Sequence, residues 1–492
     1  MIKKNLHLNY NKALLIFALI IFTFGVVQKY EYSPDDTFIY LKYSQNIANG
    51  NNFSFNKDEP SYGVTGPLWV FLNVIPFIIG VNAFWFAKLL DLSFIICSFI
   101  IFYKLTYWFW GKDNAHFRFL AVSIFVVNPW IIRSSFTGME TSLAIFLVLS
   151  IFYSYYCGKF YVLFFLIGLS ILVRPETFLL FFIFMGLILF NSQKAGNLRF
   201  SFIAKYAGFT LITTVPFWIF AYFNFGTIVA NTSLGKAVFS ADMKIIFFNA
   251  EEIFRIFFLA APFETVLALV ALILLFFKKQ YVKFLPIIFW IFSFLLLYVL
   301  TTAAMMSRYV LILYPFVVLL CVKLIENIKL KRVYLIPAFI IFFTVYSGII
   351  FFRFVKPYCD GYTVGVNNCL IPLGKWLNNN TPAGSRVFLV DVGAIGFYAD
   401  RYIIDAAALI NRDLDLNKKI RSAPHFEKEY IYNMLNFIET EYLIEKDTAM
   451  TEPLKEIYNY RLEAVKYFIF PQLTVLDSKP IYYIVYKVDK QK

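Results

Sequence analysis

Long apolar runs, broken by short polar segments, recur from residue 13 to residue 352. Runs at 13–28, 83–103, 118–132, 140–156, 160–173, 177–190, 201–223, 253–277, 283–300, 309–325 and 333–352 predict about eleven membrane-spanning helices, judged against the ~20 residues that a hydrocarbon core asks for. The run 67–80 is shorter and carries Pro76, which fits an interfacial or re-entrant element better than a span. Beyond residue 352 the periodicity changes. Short β-type runs at 385–391, 401–405, 442–445, 467–470 and 482–488, with a helical pattern over 426–440, predict a small α/β domain. The expected fold class is a polytopic α-helical membrane protein with a C-terminal α/β domain. Residues 1–352 form the transmembrane module, with a first outer loop at 29–82, and residues 353–492 form the second domain.

Charge decides which loops share a side. The chain has 492 residues, 60% of them hydrophobic, with a net charge of +14. Its basic residues cluster in short loops between apolar runs, so they read as topology signals and lipid-headgroup contacts, not as a nucleic-acid surface. If 67–80 does not cross, the lysine-rich loops all face the cytoplasm, as does the N-terminus, and the first apolar run is an uncleaved membrane helix. The C-terminal domain is then extracytoplasmic, and the expected location is a bacterial cytoplasmic membrane. Three histidines, none paired at ligand spacing, give no metal motif. Cys359 and Cys369 would lie outside the cytoplasm, as either a disulfide or two free thiols.

That topology collects Asp35 and Asp36, the loop from Arg133 to Glu140, Arg174 and Glu176, the segment Asn231 to Lys236, Ser307 to Tyr309, and Asp391 with Asp405 on one outer face. Ser33, Pro34 and Asp36 read as a helix start, followed by an amphipathic helix on the membrane surface that stops at Asn49 and Gly50. The two acids either serve that helix's dipole or do chemistry. A lipid-linked substrate would need a carboxylate base, which Asp35 or Asp36 supplies, and cations for a phosphate, for which Arg308, Lys236 and Arg174 are candidates. The duller alternatives are a local ion pair for Arg174 with Glu176, a helix cap for Glu140, a solvated loop lysine for Lys236, headgroup contact for Arg308 and simple strand ends for Asp391 and Asp405. Adjacent acids raise one another's pKa unless a cation intervenes; a divalent ion is one candidate, with no ligand set defined. Gly393 and Gly396 resemble a nucleotide loop only weakly and fit tight strand-to-turn packing better.

Asp35 to Tyr40, then Asn49-Gly50, Phe53 to Asn56 and Tyr62 to Trp69 together resemble the first outer loop of the GT-C glycosyltransferases, near the branch of mycobacterial arabinofuranosyltransferases and protein mannosyltransferase-like enzymes. Gly138 to Thr141, Arg174 to Glu176, Asn231-Thr232 with Lys236, Arg308-Tyr309 and the segment from Asp391 to Asp405 match the same branch in order. The likeness runs from residue 13 to about residue 412. It implies an inverting transfer from a polyprenyl-phosphate sugar to an acceptor hydroxyl on a glycan, lipid or protein; the family includes metal-using and metal-free members, so no cofactor is fixed and a divalent cation stays open. Asp35 corresponds to the catalytic acid acting as base, and Asp36 to its neighbour. Arg308 and Lys236 would face the donor phosphate. Glu140, Glu176, Asn231, Tyr309 and Asp391 become candidate substrate contacts. Ala408 departs from the pattern, standing where relatives often place a glycine before the leucine. The rival expectation is a transporter or flippase, which needs polar groups at mid-membrane and broken, repeated helices. The runs show no such repeats or breaks, and Lys88 and Asp91 are their main charges.

Overall fold

The expected spans fold as helices in the computed structural model, which describes residues 2–194, 200–236, 239, 242–301, 306–328, 331–413, 416–417, 428–449, 452–471 and 479–491. Among the described residues, five helices are long and apolar enough to cross a membrane: Ala83–Trp110, Pro175–Lys194, Ser201–Phe225, Tyr281–Val299 and Tyr334–Asn380. The other spans correspond to shorter apolar helices, Lys12–Gln28, Ala115–Val127, Thr141–Tyr156, Phe160–Ile171 and Tyr314–Ile325, and to one bent pair. The chain is thus a multi-pass membrane protein. The run at 67–80 is a pair of short helices, Pro67–Leu72 and Ile75–Ile79.

The bent pair corrects one expectation. The apolar run 253–277 is not one straight span but the helices Met243–Ala260 and Pro262–Phe277, bent by 114°. Ala261 leaves helical backbone at φ −161°, ψ 62°. Pro262 then opens the second helix at its first position, where a missing N–H costs nothing. Hydropathy is continuous through the bend and cannot reveal it.

The chain divides into two compact units. The first holds residues 1–30, 88–218 and 236–355. Its centre is the helices Ala115–Val127 and Tyr314–Ile325, whose side chains are almost all buried. Ala115–Val127 packs on Ile2–Gln28, and Tyr314–Ile325 on Pro262–Phe277. Phe125 meets Phe99 and Phe102 edge-on at ring separations of 5.2 and 5.1 Å, a favoured aromatic geometry. Outer helices leave Phe182, Ile212, Phe277 and Phe292 exposed, as a surface solvated by lipid allows.

The second unit holds residues 31–87, 219–235 and 356–492, so the segment expected as the first outer loop packs with the C-terminal residues. A six-stranded sheet runs in the order β2-β1-β3-β6-β5-β4, with β1 Arg386–Leu389, β2 Tyr402–Asp405, β3 Tyr442–Asp447, β4 Leu454–Ile457, β5 Tyr460–Phe470 and β6 Ile481–Lys490. β1 is parallel to β2 and β3, and the remaining pairs are antiparallel. The helix Val392–Ala399 connects β1 to β2. One sheet face buries Phe388, Ile404, Leu443, Leu462, Ile484 and Tyr486 with Ile431 and Met434. β4 and the first half of β5 lie outside the runs expected as strands, although Tyr460, Leu462 and Ala464 alternate with Arg461 and Glu463. Of the helix expected over 426–440, residues 426–427 lie outside the described ones, Lys428–Met434 is helical, and 435–440 are turn and loop, so the helix ends earlier than expected.

Two further expectations change, and one open alternative is decided. The helix after the first acids starts at Asp36, not next to Ser33, with Asp35 at its N-cap. It is not surface-bound: Thr37 to Ser44 and Asn46 are buried, including Lys42, which reaches Asp400 at 3.5 Å. Residues Lys356–Gly365, Val366–Leu370 and Ile371–Asn380 are helical. Ten residues of helix separate Cys359 and Cys369 by roughly 15 Å, beyond disulfide reach, and both are buried free thiols.

Ala408 has a left-handed φ of +57° and is fully buried. Glycine takes that conformation without strain, so alanine here carries a backbone cost that glycine would not. A β-branched side chain there combines left-handed strain with crowding. Ala408→Val is therefore expected to destabilise the protein by about 2 kcal/mol; thermal unfolding in detergent checks it, and an unchanged midpoint refutes the strain.

Candidate active site

In the second unit, Asp35 turns its side chain away from its own helix and toward Val392–Ala399. Its Oδ2 accepts the Gly393 N–H and its Oδ1 the Ala394 N–H, each at 2.8 Å. Its own N–H donates to Tyr362 Oη at 3.0 Å. Burial raises the Asp35 pKa first and the charge of Asp391 second; the two amides lower it, and the balance puts it at about 7. Asp36 sits in the first turn of its helix, where a negative charge is favoured. Asp391 is the N-cap of Val392–Ala399, and accepts from Lys446 Nζ at 2.9 Å and from the Tyr483 hydroxyl. Gly393 therefore serves a helix start that grips a carboxylate, while Gly396 lies against Phe55.

The rest of the first outer loop is fastened to the same structure. Asn56 pairs with the backbone of edge strand β2, donating to Ile403 O and accepting from Ile403 N, both at 2.8 Å. Tyr402 donates to Glu59 at 2.6 Å. Asn231 is buried, with its N–H on Tyr62 O at 2.7 Å and its amide on Asn411 O at 3.1 Å. Asp405 accepts from the amides of Ala407, Leu409 and Ile410. Burial still raises its pKa to about 6.

In the first unit, Arg174 is buried against two carboxylates, Glu140 at 2.8 Å and Glu176 at 3.8 Å. Tyr298 donates to Glu176 at 3.3 Å. The Arg174 guanidinium lies 4.5 Å from the Tyr309 ring centre, and that of Arg308 lies 5.5 Å from the same ring. Glu140, at the N-cap of Thr141–Tyr156, spends its side chain on Arg174 and not on the cap. Asp91, one of the two main charges in the apolar runs, holds the turn before Glu140: its Oδ2 accepts from the Thr137 N–H at 2.7 Å, the Thr137 hydroxyl at 2.9 Å and the Gly138 N–H at 3.2 Å. A lone acid inside an apolar run was its signal. Lys236 ends the helix Asn231–Lys236, but its side chain lies outside the described ones.

Among the described residues, no three His, Cys, Asp or Glu side chains converge as a metal site requires. Among the described residues the donor set for a divalent ion is therefore not assembled.

This arrangement of helices and sheet is the GT-C fold. The structure is similar to that of ArnT from Cupriavidus metallidurans bound to undecaprenyl phosphate, with a TM-score of 0.57 and 11% identity over 97% of this chain and 98% of that one. It is also similar to the Archaeoglobus fulgidus oligosaccharyltransferase in complex with zinc and sulfate, with a TM-score of 0.55 and 13% identity over 80% of this chain and 62% of that one. A third match is the Archaeoglobus fulgidus oligosaccharyltransferase AglB with an inhibitory peptide and a dolichol-phosphate, at a TM-score of 0.54 and 12% identity over 88% and 69% of the two chains. A family model described as a domain of unknown function, DUF8728, matches residues 362–485. No curated protein matches the chain.

Removing one partner of a buried ion pair strands the other. Glu140→Gln leaves Arg174 facing only the more distant Glu176 and is expected to cost about 3 kcal/mol; thermal unfolding of the detergent-solubilised protein measures it, and a loss under 1 kcal/mol would show the pair to be dispensable.

Proposed function

We propose that the protein is an inverting glycosyltransferase that moves a hexosyl or pentosyl group from a polyprenyl-phosphate donor to an acceptor hydroxyl on a cell-envelope glycan, lipid or protein, at the outer face of a bacterial cytoplasmic membrane. The observation that carries this reading is Asp35: a half-buried carboxyl in a fixed orientation, with a pKa of about 7. A base poised near the working pH is what proton removal from a hydroxyl needs. The GT-C fold, shared with a structure bound to undecaprenyl phosphate and one bound to a dolichol-phosphate, supports the donor class.

In the proposed reaction the acceptor oxygen attacks the anomeric carbon on the face opposite the phosphate. The bond from that carbon to the phosphate oxygen breaks, and the polyprenyl phosphate leaves with the electron pair. Asp35 takes the acceptor proton, and Asp36 adds negative potential beside it. Arg308 and Lys236 hold the donor phosphate. The charge of Arg174 is shared by Glu140 and Glu176, which suits it to orienting Tyr309 and the donor pocket more than to carrying a free phosphate. Glu176, Asn231 and Asp391 shape the substrate surroundings.

Cells lacking the protein are expected to lose a sugar from an envelope glycan, read by mass spectrometry. Wild type restores it. Asp35→Asn, expected to cut turnover at least ~100-fold, does not, although it accumulates normally in the membrane; full restoration would remove Asp35 from the mechanism. Because only ionised Asp35 accepts a proton, transfer in isolated membranes is expected to fall as pH drops through about 7. A flat profile from pH 5.5 to 8.5, on the order of 1.5 units either side, would contradict that role.

A further inference from the structure

The family domain of unknown function begins at residue 362, yet the groups that grip Asp35 lie within it. Gly393 and Ala394 are consecutive residues in the first turn of Val392–Ala399, and each gives its N–H to a different oxygen of one carboxyl. Backbone amides cannot rotate aside as a hydroxyl can, so two of them define the plane of the group they hold. A side chain at Gly393 would collide with that group: a Cβ there would lie 2.1 Å from Asp35 O and 2.5 Å from Oδ2. The loop thus rests directly on the glycine.

The helix that supplies the amides is itself fixed. Asp391 at its N-cap is tied to Lys446 and Tyr483. Gly374 lets the helix Ile371–Asn380 approach so closely that a Cβ would sit 2.7 Å from Ile395 O, and Gly396 does the same for Phe55. Tyr362, also inside the matched domain, receives the Asp35 N–H.

We infer that the C-terminal domain is a working part of the reactive centre: the amides of Gly393 and Ala394 orient the Asp35 carboxyl, and Gly393 is a positioning residue whose missing side chain makes room for it. The inference rests on the reading of Asp35 as the base. The titratable groups facing Asp35 are Asp36, Asp391, Tyr362 and Tyr483, with Lys446 and Cys369 beyond Asp391. Burial and the acids favour the neutral carboxyl; the two amides favour the ionised one. Weakening the amide contact therefore moves the titration upward, whereas loosened packing that lets water reach the carboxyl moves it downward.

The test uses the full chain in lipid nanodiscs and two readouts independent of turnover. The Asp35 carboxyl band is isolated as the infrared difference between wild type and Asp35→Asn, then titrated. Gly393→Ala is expected to move its midpoint above the wild-type value; an unchanged midpoint overturns the inference. Should Gly393→Ala not fold, hydrogen exchange in Asp35→Ala decides: the Gly393 and Ala394 amides are expected to exchange about 10-fold faster or more once their acceptor is gone, and unchanged protection overturns the inference. If Asp35→Asn keeps full transfer while both shifts occur, the contact stands and the catalytic reading of Asp35 fails.

Discussion

A carboxylate withdrawn from water must find hydrogen-bond donors or lose its charge. Asp35 meets that requirement through two backbone amides contributed more than three hundred residues later in the chain. Much of the second unit is explicable as support for this contact. The glycine at 393 gives the loop room, the acid at 391 starts the helix, and Asn56 locks the loop onto β2 as though it were one more strand residue. An edge strand covered in this way also presents fewer bare backbone groups.

The first unit answers the same constraint in an apolar setting. Asp91, Glu140 and Arg174 stand within or beside spans, where an unmatched charge is expensive. Asp91 is held through Oδ2 by a turn, and Glu140 forms an ion pair with Arg174 through Oε1. Tyr309 lies close to two guanidinium groups, a face-on contact strengthened where water is scarce. Charges were legible as isolated letters in the sequence; their partners were not, because ion pairs such as Glu140 with Arg174 join different helices.

The acids at 35 and 36 were the strongest signal in the sequence, and the loop motifs from Asp35 to Trp69 pointed to the GT-C fold. The helix following them misled, since its four-residue apolar spacing resembles an amphipathic surface helix while its polar face, with Lys42 and Asn46, is buried on Asp400 and on the loop backbone. The bend at Ala261 went unread because hydropathy runs on through it, although Pro262 marks the place. Gly393 and Gly396 were noticed, but the reason for them, a loop pressed against the helix, is a tertiary fact.

The order and extent of the apolar runs, the switch to short β-type segments after residue 352 and the position of the acid pair follow from the sequence alone, because hydrophobic length and periodicity are local properties of the chain. Only the tertiary structure decided that the first outer loop belongs with the C-terminal sheet, that Asp35 is gripped by Gly393 and Ala394, and that Arg174 is already paired. Those outcomes depend on which distant groups meet once the chain is packed, and no local pattern encodes the distance between residue 35 and residue 393.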